Sequence, residues 1–272
     1  MTTIRSSGDS SSIESNVATS GWVRGTWLLG KRELLELAAC CLGFVAIGWP
    51  VGEWVLQPGS DTAVTRFDTD VAQWFVDRRT PALNDWSHLS SMLADTLVKV
   101  AVTAIIAGVM LVAWKRWLEP TVVAVTLVVE AMAFITITYL VARPRPQVAR
   151  LEGSPVDSSF PSGHVAAAAA YGAIVVVTAW HLRRRIMIAA LALVVITVVV
   201  LVGLARMYRG MHYFSDVVAG VVLGVASIAA VTWVLTRAQR RRGLGDGRVG
   251  VARSATSGDV GDQPAVAVES SR

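Results

Sequence analysis

Of 272 residues, 53% are hydrophobic and only 17% are charged, with a mean hydropathy of +0.52. Soluble domains carry about a quarter charged residues, so an ordinary soluble domain is excluded. The net charge of +5 could fit a nucleic-acid partner, but the basic residues cap apolar runs instead of forming a patch, and no nucleic-acid partner is expected.

The first 33 residues are rich in Ser and Thr and lack the apolar core of a signal peptide, which predicts a disordered cytoplasmic N-terminus. Six apolar runs then approach the roughly 20 residues that cross a bilayer as helix. They are Leu34–Val55, Leu97–Trp114, Thr121–Val141, Val165–Trp180, Ile186–Leu204 and Val217–Leu235. Cys40 and Cys41 are neighbours in the first run and point about 100° apart on a helix, so neither a disulfide nor a metal site is expected. Residues 57–96 carry six Asp against three Arg, with amphipathic pieces such as DTDVAQWFVDRR, and predict a solvated cap outside the bundle. Glu130 falls near the middle of the third run, where a charge must face the bundle interior or be neutral. The last 36 residues, 237–272, read as a disordered tail, which leaves 34–236 as one six-span domain.

Basic residues fix the expected topology. Arg24, Lys31 and Arg32 precede the first run, Lys115 and Arg116 follow the second, Arg183 to Arg185 follow the fourth, and Arg237 to Arg242 follow the sixth. Placing all four groups in the cytoplasm satisfies the positive-inside rule with both termini inside. The loops 143–164 and 206–215 then fall outside with residues 57–96. Arginine outnumbers lysine 22 to 3, which with the many Ala and Val points to a GC-rich bacterium and its inner (cell) membrane.

The two short outer loops hold five arginines and two of the four histidines. In FPSGHV, Pro161 suits the first turn of a helix. The backbone N–H groups that follow, with Gly163 permitting close approach, make an anion cradle at the positive end of the helix dipole. Ser162 adds a donor and His164 a proton. In the other loop, His212 and Asp216 are four apart and would share a helix face, so that the acid fixes the imidazole tautomer and leaves the second nitrogen free to attack. Arg206 offers a planar fork for a phosphate. No metal-ligand spacing occurs. Together these groups point to phosphoryl transfer at the outer helix ends.

The pattern resembles the type-2 phosphatidic acid phosphatase superfamily, which shares its site with vanadium haloperoxidases. That signature is Lys-x6-Arg-Pro, Pro-Ser-Gly-His and Ser-Arg-x5-His-x3-Asp. Arg145-Pro146, Pro161-Ser162-Gly163-His164 and Arg206-x5-His212-x3-Asp216 match it in order. Thr138 stands where the family has its lysine, and Ala205 where it has serine.

The resemblance implies an all-α bundle of six transmembrane helices with an extracytoplasmic cap. It also implies a phosphatase without cofactor or metal. Arg145, Arg206, Ser162 and the Gly163 N–H would bind the phosphoryl oxygens. His212 would attack phosphorus with Asp216 orienting it, and His164 would protonate the leaving oxygen. Arg143, two residues from Arg145, is expected to supply the charge missing at Thr138. The substrate class is a lipid phosphate or diphosphate: phosphatidic acid, phosphatidylglycerol phosphate or, favoured by the bacterial composition, a polyprenyl diphosphate. A lipid-linked phosphotransferase and a non-catalytic protein that binds lipid phosphates are the alternatives.

Overall fold

The computed structural model describes residues 29–56, 61–92, 96–153 and 157–242, and the expected disorder of the two termini falls largely outside them. Among the described residues the chain is helical throughout. Helix α1 (Lys31–Pro50) runs into a π-helical turn at Val51–Val55. Two shorter helices follow, α2 (Ala63–Val76) and α3 (Pro81–Met92). The remaining helices are α4 (Thr96–Trp114), α5 (Leu118–Leu140), α6 (Gly163–Ala170), α7 (Gly172–His181), α8 (Arg185–Tyr208) and α9 (Phe214–Arg241). Helices α6 and α7 are one span broken at Tyr171.

Six helical stretches are long and apolar enough to cross a membrane, at the six places expected from the sequence. They divide into two kinds. The α5, α6–α7 and α9 spans are each 44% buried within the protein, whereas those of α1, α4 and α8 are 6%, 6% and 11% buried. The first three make the core, and the other three present apolar side chains such as Leu35, Ile105 and Ile186 outward. That outward face is what lipid requires, since hydrocarbon is as apolar as leucine. Glu130 is 1% exposed and lies inside the bundle.

The tightest contact joins α6 and α9. A Cβ on Gly224 would lie 2.5 Å from the Ala166 carbonyl oxygen, and one on Gly220 would lie 2.6 Å from the Ser162 carbonyl oxygen. These two glycines, four apart, form a backbone-wide groove that receives the alanine run of α6. Small residues facing small residues allow such approach in membrane helices. At the end remote from the motif loops, Arg241 and Arg242 of the α9 terminus pair with Glu33, and Arg241 also with Glu36, tying α9 to the start of α1.

Helices α2 and α3 sit at the same end as the motif loops. They are not merely a solvated cover, because the buried stripe of α2 is Thr65, Asp68 and Ala72, with an acid at its centre. Arg79, between the two helices, donates to the Tyr208 carbonyl through Nε and Nη2 at 3.1 and 2.8 Å, and to the Ala149 carbonyl at 2.6 Å. It thereby satisfies a carbonyl at the C-terminus of α8 and holds the 143–164 loop against it.

The α6–α9 contact yields a stability prediction. Gly224→Ala is expected to cost about 1–3 kcal/mol through overpacking against backbone. Gly108→Ala, where nothing lies within 4 Å, should be neutral or stabilise by up to about 1 kcal/mol because alanine is the better helix former. Unfolding of both variants in mixed micelles checks this, and equal effects would refute the packing argument.

Candidate active site

The Arg206–His212 spacing has a local cause. Helix α8 ends in a Schellman motif: the Met211 N–H bonds the Arg206 carbonyl at 3.0 Å and the Gly210 N–H bonds the Met207 carbonyl at 3.0 Å. The residue that turns the chain is Gly210, at φ +74°, where a Cβ would also meet Val148, the Ala149 carbonyl and Arg79. Tyr213 is the extended N-cap of α9. The return between two membrane helices is therefore five residues long, and it fixes Arg206 at one lip and His212 at the other.

His212 is 5% exposed and lies outside α9. Its Nδ1 is 2.7 Å from the Ser159 carbonyl oxygen, which can only accept, so Nδ1 carries the proton and Nε2 is a bare lone pair. Asp216 does not fill the place expected for it. It is 3.9 Å from Nδ1, because His212 precedes the helix and the i,i+4 geometry does not apply. Its Oδ2 instead accepts the Tyr213 N–H at 2.8 Å, closing the helix end, and its Oδ1 pairs with Arg143. Burial, then the charges of Arg206 and Arg145, push the His212 imidazole well below its usual 6.5; the Ser159 carbonyl opposes them, and His164 adds to the lowering. The ring is neutral at physiological pH.

The two loops expected to converge do so. Arg145 is 8% exposed and donates from Nη1 to the Met211 carbonyl at 2.6 Å, beside His212. Burial, followed by the charge of Arg206, lowers Arg145 to about 10, and it stays cationic at neutral pH. Arg206 and Arg209 share the carboxylate of Glu152, with Arg209 Nε at 2.6 Å. Burial works to raise Glu152, but the two arginines outweigh it and hold it below the usual carboxylate range.

The second motif departs from expectation in two details. Pro161 lies before the helix, not in its first turn: Ser162 is the N-cap, α6 begins at Gly163, and the Phe160–Pro161 peptide is cis. Gly163 lacks a side chain for a packing reason, since a Cβ would sit 2.6 Å from the Phe134 ring. His164 is the second residue of α6.

The N-termini of α6 and α9 lie side by side, joined by the Ser162 N–H and the Asp216 carbonyl at 3.0 Å. They are treated differently. The start of α9 is filled by two carboxylates, Asp216 on the Tyr213 N–H and Asp68 on the Ser215 N–H at 2.9 Å. The start of α6 has no side-chain cap, and the Ser162 hydroxyl is buried without a hydrogen-bond partner among the described residues.

Arg143 is not turned towards a phosphate. Its Nη1 donates to Ser215 Oγ at 2.8 Å and to Asp216, its Nη2 donates to Asp68 at 2.8 Å, and its guanidinium lies 4.3 Å over the Tyr213 ring. The expectation that it replaces the missing lysine is corrected by this double engagement. Thr138 lines a cavity of about 680 Å³ together with Arg145, Gln147 and Arg150, and its own hydroxyl is buried without a partner. Asp68, Glu152 and the Ser159 carbonyl were absent from the sequence expectation. Asp68 left a signal as an acid on the apolar stripe of an amphipathic helix, and Glu152 as the acid two residues after Arg150. A backbone carbonyl leaves none.

Residues 117–240 match the sequence profile of the PAP2 superfamily. Among solved structures, the chain is similar to one described as the first transmembrane PAP2 type phosphatidylglycerolphosphate phosphatase from Bacillus subtilis. The two share 24% identity and a TM-score of 0.60 over 72% of this chain and 94% of that one. It is also similar to Aquifex aeolicus LpxE, at 21% identity and a TM-score of 0.47 over 60% of this chain and 93% of the other. No curated protein matches the sequence. The superfamily's sequence pattern thus covers residues 117–240 of a chain whose fold is similar to that of a transmembrane PAP2 phosphatase and whose described residues include six helices long and apolar enough to cross a membrane.

Proposed function

We propose that the protein is a metal-independent membrane phosphatase that hydrolyses lipid phosphates or diphosphates through a phosphohistidine at His212. The observation that carries this is the neutral His212, its proton held on Nδ1 by Ser159, set among Arg145, Arg206 and the uncapped start of α6. Nε2 attacks phosphorus as the ester or anhydride P–O bond breaks. His164, second in α6, gives its proton to the leaving oxygen and then takes one from the water that releases phosphate. Arg145, Arg206, the Ser162 hydroxyl and the Gly163 N–H hold the phosphoryl oxygens, which gain charge in the transition state. The partnerless Ser162 hydroxyl supports this, because a buried donor without a partner is costly unless a ligand completes it.

A lipid substrate follows from position. The site lies where membrane helices end, so a head group can reach His212 while its chain stays in hydrocarbon. The cavity beside Arg145, with Gln147 and Arg150 on its wall, gives room and charge for the head group of phosphatidic acid, phosphatidylglycerol phosphate or a polyprenyl diphosphate. The basic residues at the opposite helix ends support a topology with both termini in the cytoplasm of a bacterial cell and the site outside.

Three outcomes are expected. His212→Ala should reduce phosphate release from a panel of lipid phosphates in detergent by about ten-thousand-fold or more, as for loss of a nucleophile. His164→Ala should cost about 10²–10⁴-fold on alkyl phosphates and much less on an aryl phosphate, whose leaving group needs no proton; equal losses would refute the acid role. Because His212 titrates well below 6.5 and attacks only when neutral, the acid limb of kcat/KM should lie below 6.5, while loss of the His164 proton sets a separate basic limb. An acid limb at or above 6.5 would overturn the assignment. Transfer of phosphate to an added alcohol, with no free phosphate released, would identify a phosphotransferase, and no turnover with retained lipid-phosphate binding would identify a binding protein.

A further inference from the structure

Behind Asp216 lies a buried row of charges that the reaction as described does not use. Asp68 of α2, Arg143 of the loop after α5 and Asp216 of α9 are 1%, 1% and 0% exposed. Arg143 bridges the two carboxylates, and the Ser215 hydroxyl touches both Arg143 and Asp68. The Tyr213 ring covers the guanidinium face. Three elements far apart in sequence are thus pinned together beside the histidine that the proposed reaction uses.

The charges count as follows. Two carboxylates and one guanidinium leave one net negative charge, and Asp216 is the member nearest the imidazole, at 3.9 Å. Without Asp68, Arg143 would cancel Asp216, and the row would be neutral. Around His212 stand Arg206 from α8, Arg145 from the 143–164 loop, His164 from α6 and Asp216 from α9, with Glu152 behind Arg206. Asp216 is the one anion in direct view of the ring among these groups. Forming the N–P bond at Nε2 while Nδ1 keeps its proton makes the ring cationic, so that anion matters most as the bond forms.

We propose that Asp68 is a positioning residue that offsets the charge of Arg143, so that Asp216, held by the Tyr213 N–H as well as by Arg143, still presents net negative charge to His212. This rests on His212 as the reacting group. It gives the segment between the first two spans a part in the reaction, where the sequence alone reads as a cover.

The test uses the full chain in detergent micelles with Asp68→Asn, Arg143→Met and the double variant. Two readouts are taken: kcat and KM for phosphate release, and the pH dependence of His212 carbethoxylation by diethyl pyrocarbonate, followed by peptide mass spectrometry. Asp68→Asn should lower kcat by about tenfold or more with KM little changed, since it removes an interaction that strengthens in the transition state. Its labelling midpoint should move to lower pH, because one negative charge near His212 is lost. The double variant restores one net negative charge and should recover both the midpoint and most of kcat, although it has fewer contacts. If the row were only a structural tie, the double variant would be at least as impaired as Asp68→Asn, and that result overturns the proposal. A wild-type kcat and midpoint in Asp68→Asn overturns it too. If Asp68→Asn does not fold, a folded double variant supports charge balance and an unfolded one refutes it. Should the wild type release no phosphate, the phosphatase reading fails by itself, and the labelling midpoints still decide whether Asp68 and Arg143 tune His212.

Discussion

The approach of α6 to α9 is the constraint from which the site follows. Gly220 and Gly224 let the two backbones touch, and the Ser162 N–H bonds the Asp216 carbonyl at their N-terminal ends. Two helix dipoles therefore point their positive ends at one place, each equivalent to about half a charge. Side by side in a low-dielectric bundle, such ends repel unless anions are present. At α9 the anions are built in, as Asp68 and Asp216. At α6 the position has no side-chain cap. One packing decision, made with two glycines and a run of alanines, thus creates both the electrostatic demand and the place to satisfy it.

The same constraint explains why so many arginines can lie buried at this end. Removing one partner of a buried ion pair costs about 3–5 kcal/mol, so isolated buried charges are not tolerated. Arg143 has Asp68 and Asp216, Arg209 has Glu152, and Arg206 shares that carboxylate. The remaining motif arginine, Arg145, is directed at the Met211 carbonyl next to His212. Of these acids, Asp68 comes from a segment with no motif of its own. The matching region begins at residue 117, yet Asp68 and Arg79 anchor its site from outside it.

What the sequence reveals and what it hides divide along physical lines. The six spans were legible because lipid imposes a length and a composition on each, and the motif residues because their chemical types are rare beside apolar helices. The finer geometry was not. The i,i+4 rule tied His212 to Asp216 on the assumption of a continuous helix, but the helix begins at Phe214, and the carbonyl of Ser159 takes the place at Nδ1. Pro161 was read as a first-turn residue and stands outside α6. Arg143 was assigned by its nearness to Arg145, but nearness in an irregular loop does not fix a shared direction, and carboxylates from α2 and α9 take the Arg143 guanidinium. Each miss concerns a partner from elsewhere in the chain, which local spacing does not encode.

The threonine at position 138 belongs to this charge balance. This end of the bundle holds four buried guanidinium groups, on Arg143, Arg145, Arg206 and Arg209, and three carboxylates, on Asp68, Glu152 and Asp216. That leaves one net positive charge while His212 is neutral, and the open start of α6 adds about half a charge more. On the proposed reading a protonated His164 adds a further charge, so a phosphate monoester with close to two negative charges would be balanced without a lysine. A lysine added there would also bind the ground state, and only the part of its attraction that grows in the transition state would speed the chemical step. Thr138 instead places a partnerless hydroxyl on the wall of the cavity that Arg145 and Arg150 line. On the proposed reading that position would set it beside the head group next to the phosphate, with the arginines already present supplying the charge.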